Sequence, residues 1–286
     1  MSSQIKTALL LGLLTAIILF LGQAMGGRSG LVVAFVMAMV MNVGSYWFSD
    51  RIVLAMYRAQ PLDEHDAPLV HRMVAELAAK AGLPMPRLYL IPDEQPNAFA
   101  TGRDPEHAVV AVTAGIMRLL SPEELRGVLA HELGHVKNRD ILVQSVAGVL
   151  AGVVMYLANM LQWGAMFGLG SRDDEEGGAN PLAAIVLAMV APLAASLVQM
   201  AISRSREYLA DDAGAELADP RALAGALEKL GMASGRIPMH DGNEATAHMF
   251  IVNPFAGSSW SSWFSTHPPI EERVARLRAM AAGGAR

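Results

Sequence analysis

His131-Glu132-Leu133-Gly134-His135 sets two imidazoles four residues apart with a carboxylate beside the first. On a helix, residues i and i+4 share a face, so both rings can reach one tetrahedral ion. Glu132 is then placed to take a proton from a water without ligating the ion, which is the chemistry of metal-assisted hydrolysis. The bland alternative is a solvated His/Glu helix face. Cysteine is absent from the 286 residues, which removes disulfides, thiol catalysis and Cys-ligated zinc. Any ion must be held by His, Asp or Glu. A third protein ligand is required, and Ser205-Arg206-Glu207-Tyr208-Leu209-Ala210-Asp211-Asp212 offers Glu207 and Asp211, again i and i+4. One carboxylate can bind the ion while the other accepts an N–H from a ligating imidazole. Taken alone, that pair is equally a charged helix surface.

These residues need helices that meet. Ser121 to Glu124 has the S-x-x-E form with Pro122 at the first helical position, a capping box that predicts a helix through Leu125, Val128, Leu129, Leu133 and Val136. That helix leads into the uncharged stretch 141–171; a second, 177–203, ends just before Glu207. A helical hairpin returns its ends as neighbours, so Glu207 is expected to meet His131 and His135. If the hairpin crosses a bilayer, the ion lies about 9 Å above its edge, six residues at 1.5 Å each. Around this pair, Pro68 opens an amphipathic helix with Val70, Met73, Val74 and Leu77, ending near Gly82. Short strands are expected at 87–91, 97–102 and 107–112. Helices follow at 204–217, after Asp219-Pro220, and after Pro268-Pro269 through Val274, Leu277 and Met280, with irregular chain over 233–266.

Composition sets the class. The chain is 53% hydrophobic and 17% charged, against about 25% charged in ordinary soluble domains. Residues 7–27, 29–49, 141–171 and 177–203 contain no Asp, Glu, Lys or Arg, and each is long enough to cross a bilayer. A soluble enzyme, a disordered chain and a secreted disulfide scaffold are thereby disfavoured. The net charge of −5 without a basic stripe gives no sign of nucleic acid. If all four stretches span, only Arg28 and Arg172 of the 22 basic residues fall in outer loops. The positive-inside rule then places both termini and the polar segments in the cytoplasm. The expected fold is a mainly α membrane protein with four transmembrane helices and an α+β, zincin-like cytoplasmic domain. Its order is an N-terminal hairpin (7–48), a catalytic part (49–140), a second hydrophobic hairpin (141–203) and a second catalytic part (204–286). Lys6 before an apolar run also fits a cleaved signal peptide, and 141–203 also fits a buried hairpin of a soluble core.

The chain resembles the HtpX family of membrane-integrated zinc metalloproteases, related to prenylated-CAAX proteases and mitochondrial inner-membrane quality-control proteases. The resemblance rests on Asn97-Ala98-Phe99-Ala100-Thr101-Gly102, His131 to Asp140, Ser205 to Asp211, and Ser265-Thr266-His267-Pro268-Pro269. It implies one Zn2+ per chain held by His131, His135 and Glu207, with Glu132 as general base and Asp211 behind a ligand. It further implies that Asn97, Ala98, Phe99, Ala100 and Thr101 form an edge strand pairing with substrate, and that His267 stabilises the oxyanion. On residues alone, 97–101 is as readily a strand packed inside the domain, and His267 a residue that caps the following helix. The implied partners are the lipid bilayer and misfolded or surplus membrane proteins, or unfolded polypeptide, cut on the cytoplasmic side of the inner membrane; no oligomeric state is implied. A zinc-binding adaptor or chaperone is the rival, which an intact H-E-x-x-H opposes. His65, His71, His107, His240 and His248 lack ligand spacing and read as surface or packing residues, and Asp140 as a structural residue at the membrane boundary. Phe255, Trp260, Trp263 and Phe264 read as packing, a flap or an interfacial anchor.

Overall fold

The structure is a computed structural model that describes residues 3–152, 204–237, 239, 244–254 and 267–283. Helix α1 (Ser3–Met56) is apolar along most of its length but is not one rod, because Gly27 adopts φ 53° and ψ −136° and reverses the chain. The two arms approach through glycine. A Cβ on Gly22 would lie 2.3 Å from Ala34 Cβ, and one on Gly30 would lie 2.1 Å from the Gly22 carbonyl oxygen. Asn42 Nδ2 donates to Thr15 Oγ1 at 2.8 Å across the pair. Gly27–Met56 is the one described helix long and apolar enough to cross a membrane; Thr7–Phe20 is shorter. Val32, Val33, Phe35, Val36, Met39 and Val40 are all exposed, which a core helix of a soluble domain would not allow. Of the expected second hairpin, only α5 (Ile141–Gly152) falls within the described residues.

A small mixed sheet follows, with β1 (Gln60–Pro61), β2 (Arg87–Ile91), β3 (Ala98–Thr101) and β4 (Val109–Thr113) in the order β1-β2-β4-β3. Strands β2 and β4 are parallel, and the other pairs are antiparallel. Side chains alternate between faces. Ile91, Phe99, Val109 and Ala111 join Val53, Leu54 and Tyr57 at the end of α1, while Leu88, Ala98, Ala100, Val110 and Val112 belong to the main core. Strand β4 begins two residues later than its Val-rich sequence suggested, because Asp104 Oδ1 accepts from the His107 N–H at 2.8 Å and caps a 3-10 turn at Pro105–His107. The two-residue β1 and α3 (Ala114–Leu119) were not expected from sequence.

The main core is helical. It joins α2 (Pro68–Ala81), α4 (Pro122–Lys137), α7 (Pro220–Ser234) and α8 (Ile270–Ala281) to one sheet face, with α6 (Arg204–Leu217) against α4. The capping box starts α4 as its sequence requires: Ser121 Oγ accepts from the Glu124 N–H at 3.3 Å and Glu124 Oε2 accepts from the Ser121 N–H at 2.8 Å. The fold is therefore mostly helical with a small mixed sheet.

Candidate metal centre

Small residues let α4 and α6 approach closely enough for short side chains to meet between them. A Cβ on Gly134 would lie 3.1 Å from both Ala210 Cα and Ala213 Cβ, and one on Gly214 would lie 3.2 Å from the His131 main-chain nitrogen. Gly134→Val is accordingly expected to push the helices apart and to cost about 1–3 kcal/mol by overpacking. Denaturant unfolding of Gly134→Val beside Gly134→Ala reads this, and equal midpoints for valine and wild type would refute it.

His131 and His135 on α4 and Glu207 on α6 are all buried. His135 Nε2 lies 3.5 Å from Glu207 Oε1 and His131 Nε2 lies 3.9 Å from Glu207 Oε2. One ligand atom from each residue fits within 4.8 Å of the other two. Ligands around a tetrahedral ion with bonds of about 2.0–2.1 Å stand about 3.4 Å apart. Buried His131 Nε2 has no hydrogen-bond partner, as expected of a nitrogen reserved for a cation. The three residues could hold a metal.

Each histidine is backed by a carboxylate, and each carboxylate by an arginine. His131 Nδ1 lies 3.0 Å from Asp211 Oδ1. Arg273 on α8 grips Asp211 with two bonds, Nε to Oδ2 at 2.9 Å and Nη2 to Oδ1 at 2.7 Å, and donates from Nη1 to the Ile251 carbonyl at 3.0 Å. Behind His135, Asp140 Oδ2 lies 3.7 Å from Nδ1, and Asp140 Oδ1 lies 2.6 Å from Arg206 Nη1. Arg139 at φ 56° turns the chain so that the Asp140 N–H donates to the His135 carbonyl at 3.0 Å. Asp140 thus sits against the site, a closer association than its expected place at a membrane boundary. His267 Nδ1 lies 3.0 Å from Glu207 Oε2, so it reaches the cluster through the third carboxylate.

The electrostatics suit a cation. Burial opposes a charge on His135, yet Asp140, Glu207 and Glu132 together raise it to about 9. Burial drives His131 down to about 4, opposed by its hydrogen bond and attraction to Asp211 and reinforced by the Arg273 and His135 charges. Burial pushes Glu132 up to about 7 and Glu207 adds to the rise, against His135, Arg273 and a hydrogen bond from the Ala100 main chain.

That last contact brings β3 to the site. Strand β3 is the sheet's edge by order, but Ala98, Phe99, Ala100 and Thr101 are each no more than 1% exposed, so the edge is covered. Asn97, also proposed to meet substrate, spends its amide on the segment after the 3-10 turn Glu244–Met249. Its Nδ2 donates to the Val252 carbonyl at 2.8 Å, and its Oδ1 accepts from the Ala98 N–H at 3.1 Å. Sequence reasoning missed Arg273, although it shares the inward stripe of α8 with Val274 and Leu277, where a lone arginine needs a buried partner. His71 bonds the Leu62 carbonyl and His248 the Gln144 carbonyl, both packing roles. His240, Phe255, Trp260, Trp263 and Phe264 lie outside the described residues.

Comparison with known proteins agrees with this geometry. The model of Peptidase family M48 matches residues 64–281. A Protease HtpX homolog from Syntrophobacter fumaroxidans is 63% identical over 282 residues, covering 98% of this chain and 100% of the relative. Another from Pyrococcus furiosus is 51% identical over 278 residues, covering 97% and 96%. The crystal structure of S. mikatae Ste24p aligns with a TM-score of 0.53 at 17% identity, covering 93% of this chain and 62% of that one, a likeness of fold.

Proposed function

The chain belongs to peptidase family M48 and is a metalloprotease, a hydrolase of peptide bonds, and from that premise we propose that it is a zinc-dependent endopeptidase of the cell membrane. The reading adds four spans, both termini and the site on the cytoplasmic side, and misfolded or surplus membrane proteins as substrates. The observation that carries the chemistry is the buried His131, His135 and Glu207 group with Glu132 beside it.

In this reading His131, His135 and Glu207 hold one zinc ion. When bound, zinc supplies Lewis acidity toward a water and toward the scissile carbonyl. Glu132 takes the water's proton and returns it to the leaving amine; a carboxylate near pKa 7 can do both at neutral pH. Asp211, held by Arg273, fixes the His131 ring with Nε2 toward Glu207, where it would hold the ion. His267, reaching the cluster beside Glu207, is placed to stabilise the oxyanion as it forms. Substrate pairs with β3 main chain to main chain, which requires that the cover over Ala98–Thr101 first be displaced.

The test is cleavage of an unstructured protein by the detergent-purified chain, with zinc supplied or chelated. Cleavage is expected only with zinc. Removing the ion is also expected to lower stability, by about 2.7 kcal/mol relative to zinc at a hundred times its Kd, read as a drop in Tm. Stoichiometric zinc binding without any cleavage would instead favour a zinc-binding adaptor.

A further inference from the structure

Asp140 stands immediately before α5, and Arg206 lies in the first turn of α6, next to Glu207. The whole stretch 141–203 separates them in the chain, yet Asp140 Oδ1 lies 2.6 Å from Arg206 Nη1. An aspartate just ahead of a helix ordinarily caps it, its carboxylate accepting from the first N–H groups. Asp140 serves α5 with its main chain instead, its carbonyl accepting from the Gln144 N–H at 3.1 Å. The carboxylate is turned to α4: Oδ2 has no hydrogen-bond partner and lies 3.7 Å from His135 Nδ1, which has none either. The Asp140 and Arg206 side chains are 4% and 11% exposed, so this is not one of the surface ion pairs that contribute little.

The arrangement repeats the one behind His131. There the chain of imidazole, carboxylate and guanidinium is closed, with His131 Nδ1 3.0 Å from Asp211 Oδ1 and Arg273 Nη2 2.7 Å from the same oxygen. Behind His135 the order of groups is the same, and the first link stands about 0.7 Å longer than an N–H···O hydrogen bond of about 3.0 Å. Asp140 is fixed from two sides. Arg206 holds it from α6, and the α5 turn that follows it is tied to β3, where Ser145 Oγ lies 2.7 Å from Thr101 Oγ1. With Nδ1 facing that carboxylate, His135 Nε2 is left 3.5 Å from Glu207 Oε1, on the side where an ion would sit.

We propose that Asp140 and Arg206 are positioning residues for the reaction and act as one couple on His135: Arg206 holds the carboxylate, and the carboxylate orients the ring. The bland alternative is a clasp that joins the ends of α4 and α6 and does nothing for the ligand. The proposal rests on reading His135 as a metal ligand.

Its test uses the full chain in detergent, stripped of metal and titrated with zinc, then with cobalt, whose visible absorption reports ligand geometry. Asp140→Asn keeps the shape of the side chain and removes its charge. Asp140→Asn and Arg206→Gln are each expected to lower zinc affinity about 10–100-fold. The double variant is expected to bind no more than about two-fold more weakly than either single one, because the two residues act through one contact. Arg206→Lys, which keeps the charge, is expected to stay within about three-fold of wild type. The cobalt spectrum of Asp140→Asn at saturation is expected to differ from that of wild type, which a clasp would leave alone. Wild-type affinity and spectrum in Asp140→Asn overturn the proposal, and so do losses that multiply in the double variant. Affinity lost only together with the helical circular dichroism of the zinc-free chain makes the pair a clasp. A wild-type chain that binds neither metal overturns the metal reading beneath it.

Discussion

Glu132→Gln is expected to lower peptide cleavage by about 10²–10⁴-fold, the range ascribed to a positioned acid–base group, with zinc affinity changed less than about two-fold. The separation of effects follows from the geometry. Glu132 shares α4 with both histidines but is not one of the three grouped ligand residues. Its side chain is buried, its Oε1 has no hydrogen-bond partner, and it accepts a hydrogen bond from the Ala100 main chain. Glutamine keeps shape and volume and still accepts from Ala100, but it has no basic site to receive a proton. Single-turnover cleavage beside zinc titration reads both quantities. Glutamine with full activity removes Glu132 from the base role, and lost zinc with unchanged residual chemistry makes it a ligand instead.

Arg273→Met is expected to destabilise the fold by about 3–5 kcal/mol, the cost of leaving one member of a buried ion pair uncompensated. Arg273 is 1% exposed, holds both Asp211 oxygens and the Ile251 carbonyl, and lies 3.7 Å from Glu207 Oε2. Removing it leaves two buried carboxylates facing each other across His131 with less positive charge between them. Zinc affinity is expected to fall about 10–100-fold, as when a group behind a ligand is lost. Adding Asp211→Asn should recover part of the stability, since the partner charge is then gone too. Urea unfolding of the single and double variants measures this. A single variant as stable as wild type would mean that the pair contributes nothing.

Much of this site was legible because local rules agreed. Ser121, Pro122 and Glu124 start α4 where capping requires, and the i,i+4 pairs His131/His135 and Glu207/Asp211 put chemistry on single faces. The hairpin argument placed Glu207 near the histidines without reference to side-chain detail. What stayed hidden depends on tertiary approach. Arg273 reaches the centre only because α8 packs on α7 and turns its inward stripe toward α6. Asp140 folds back on His135 because Arg139 adopts a left-handed conformation that no propensity favours. The two residues of β1 pair with Leu90 and Tyr89, a long-range register that carries no local pattern. Nor did sequence show that β3, an edge by order, is covered.

The helix that completes the arginine grip, α8, follows every other element of the site along the chain. During synthesis the apolar arms of α1 are made before the H-E-x-x-H helix, which in turn is made before Glu207 and Arg273. The order of the elements along the chain thus builds in a delay. The centre is complete only when α8 is in place, and a copy lacking α8 is made without the arginine that holds Asp211 against His131.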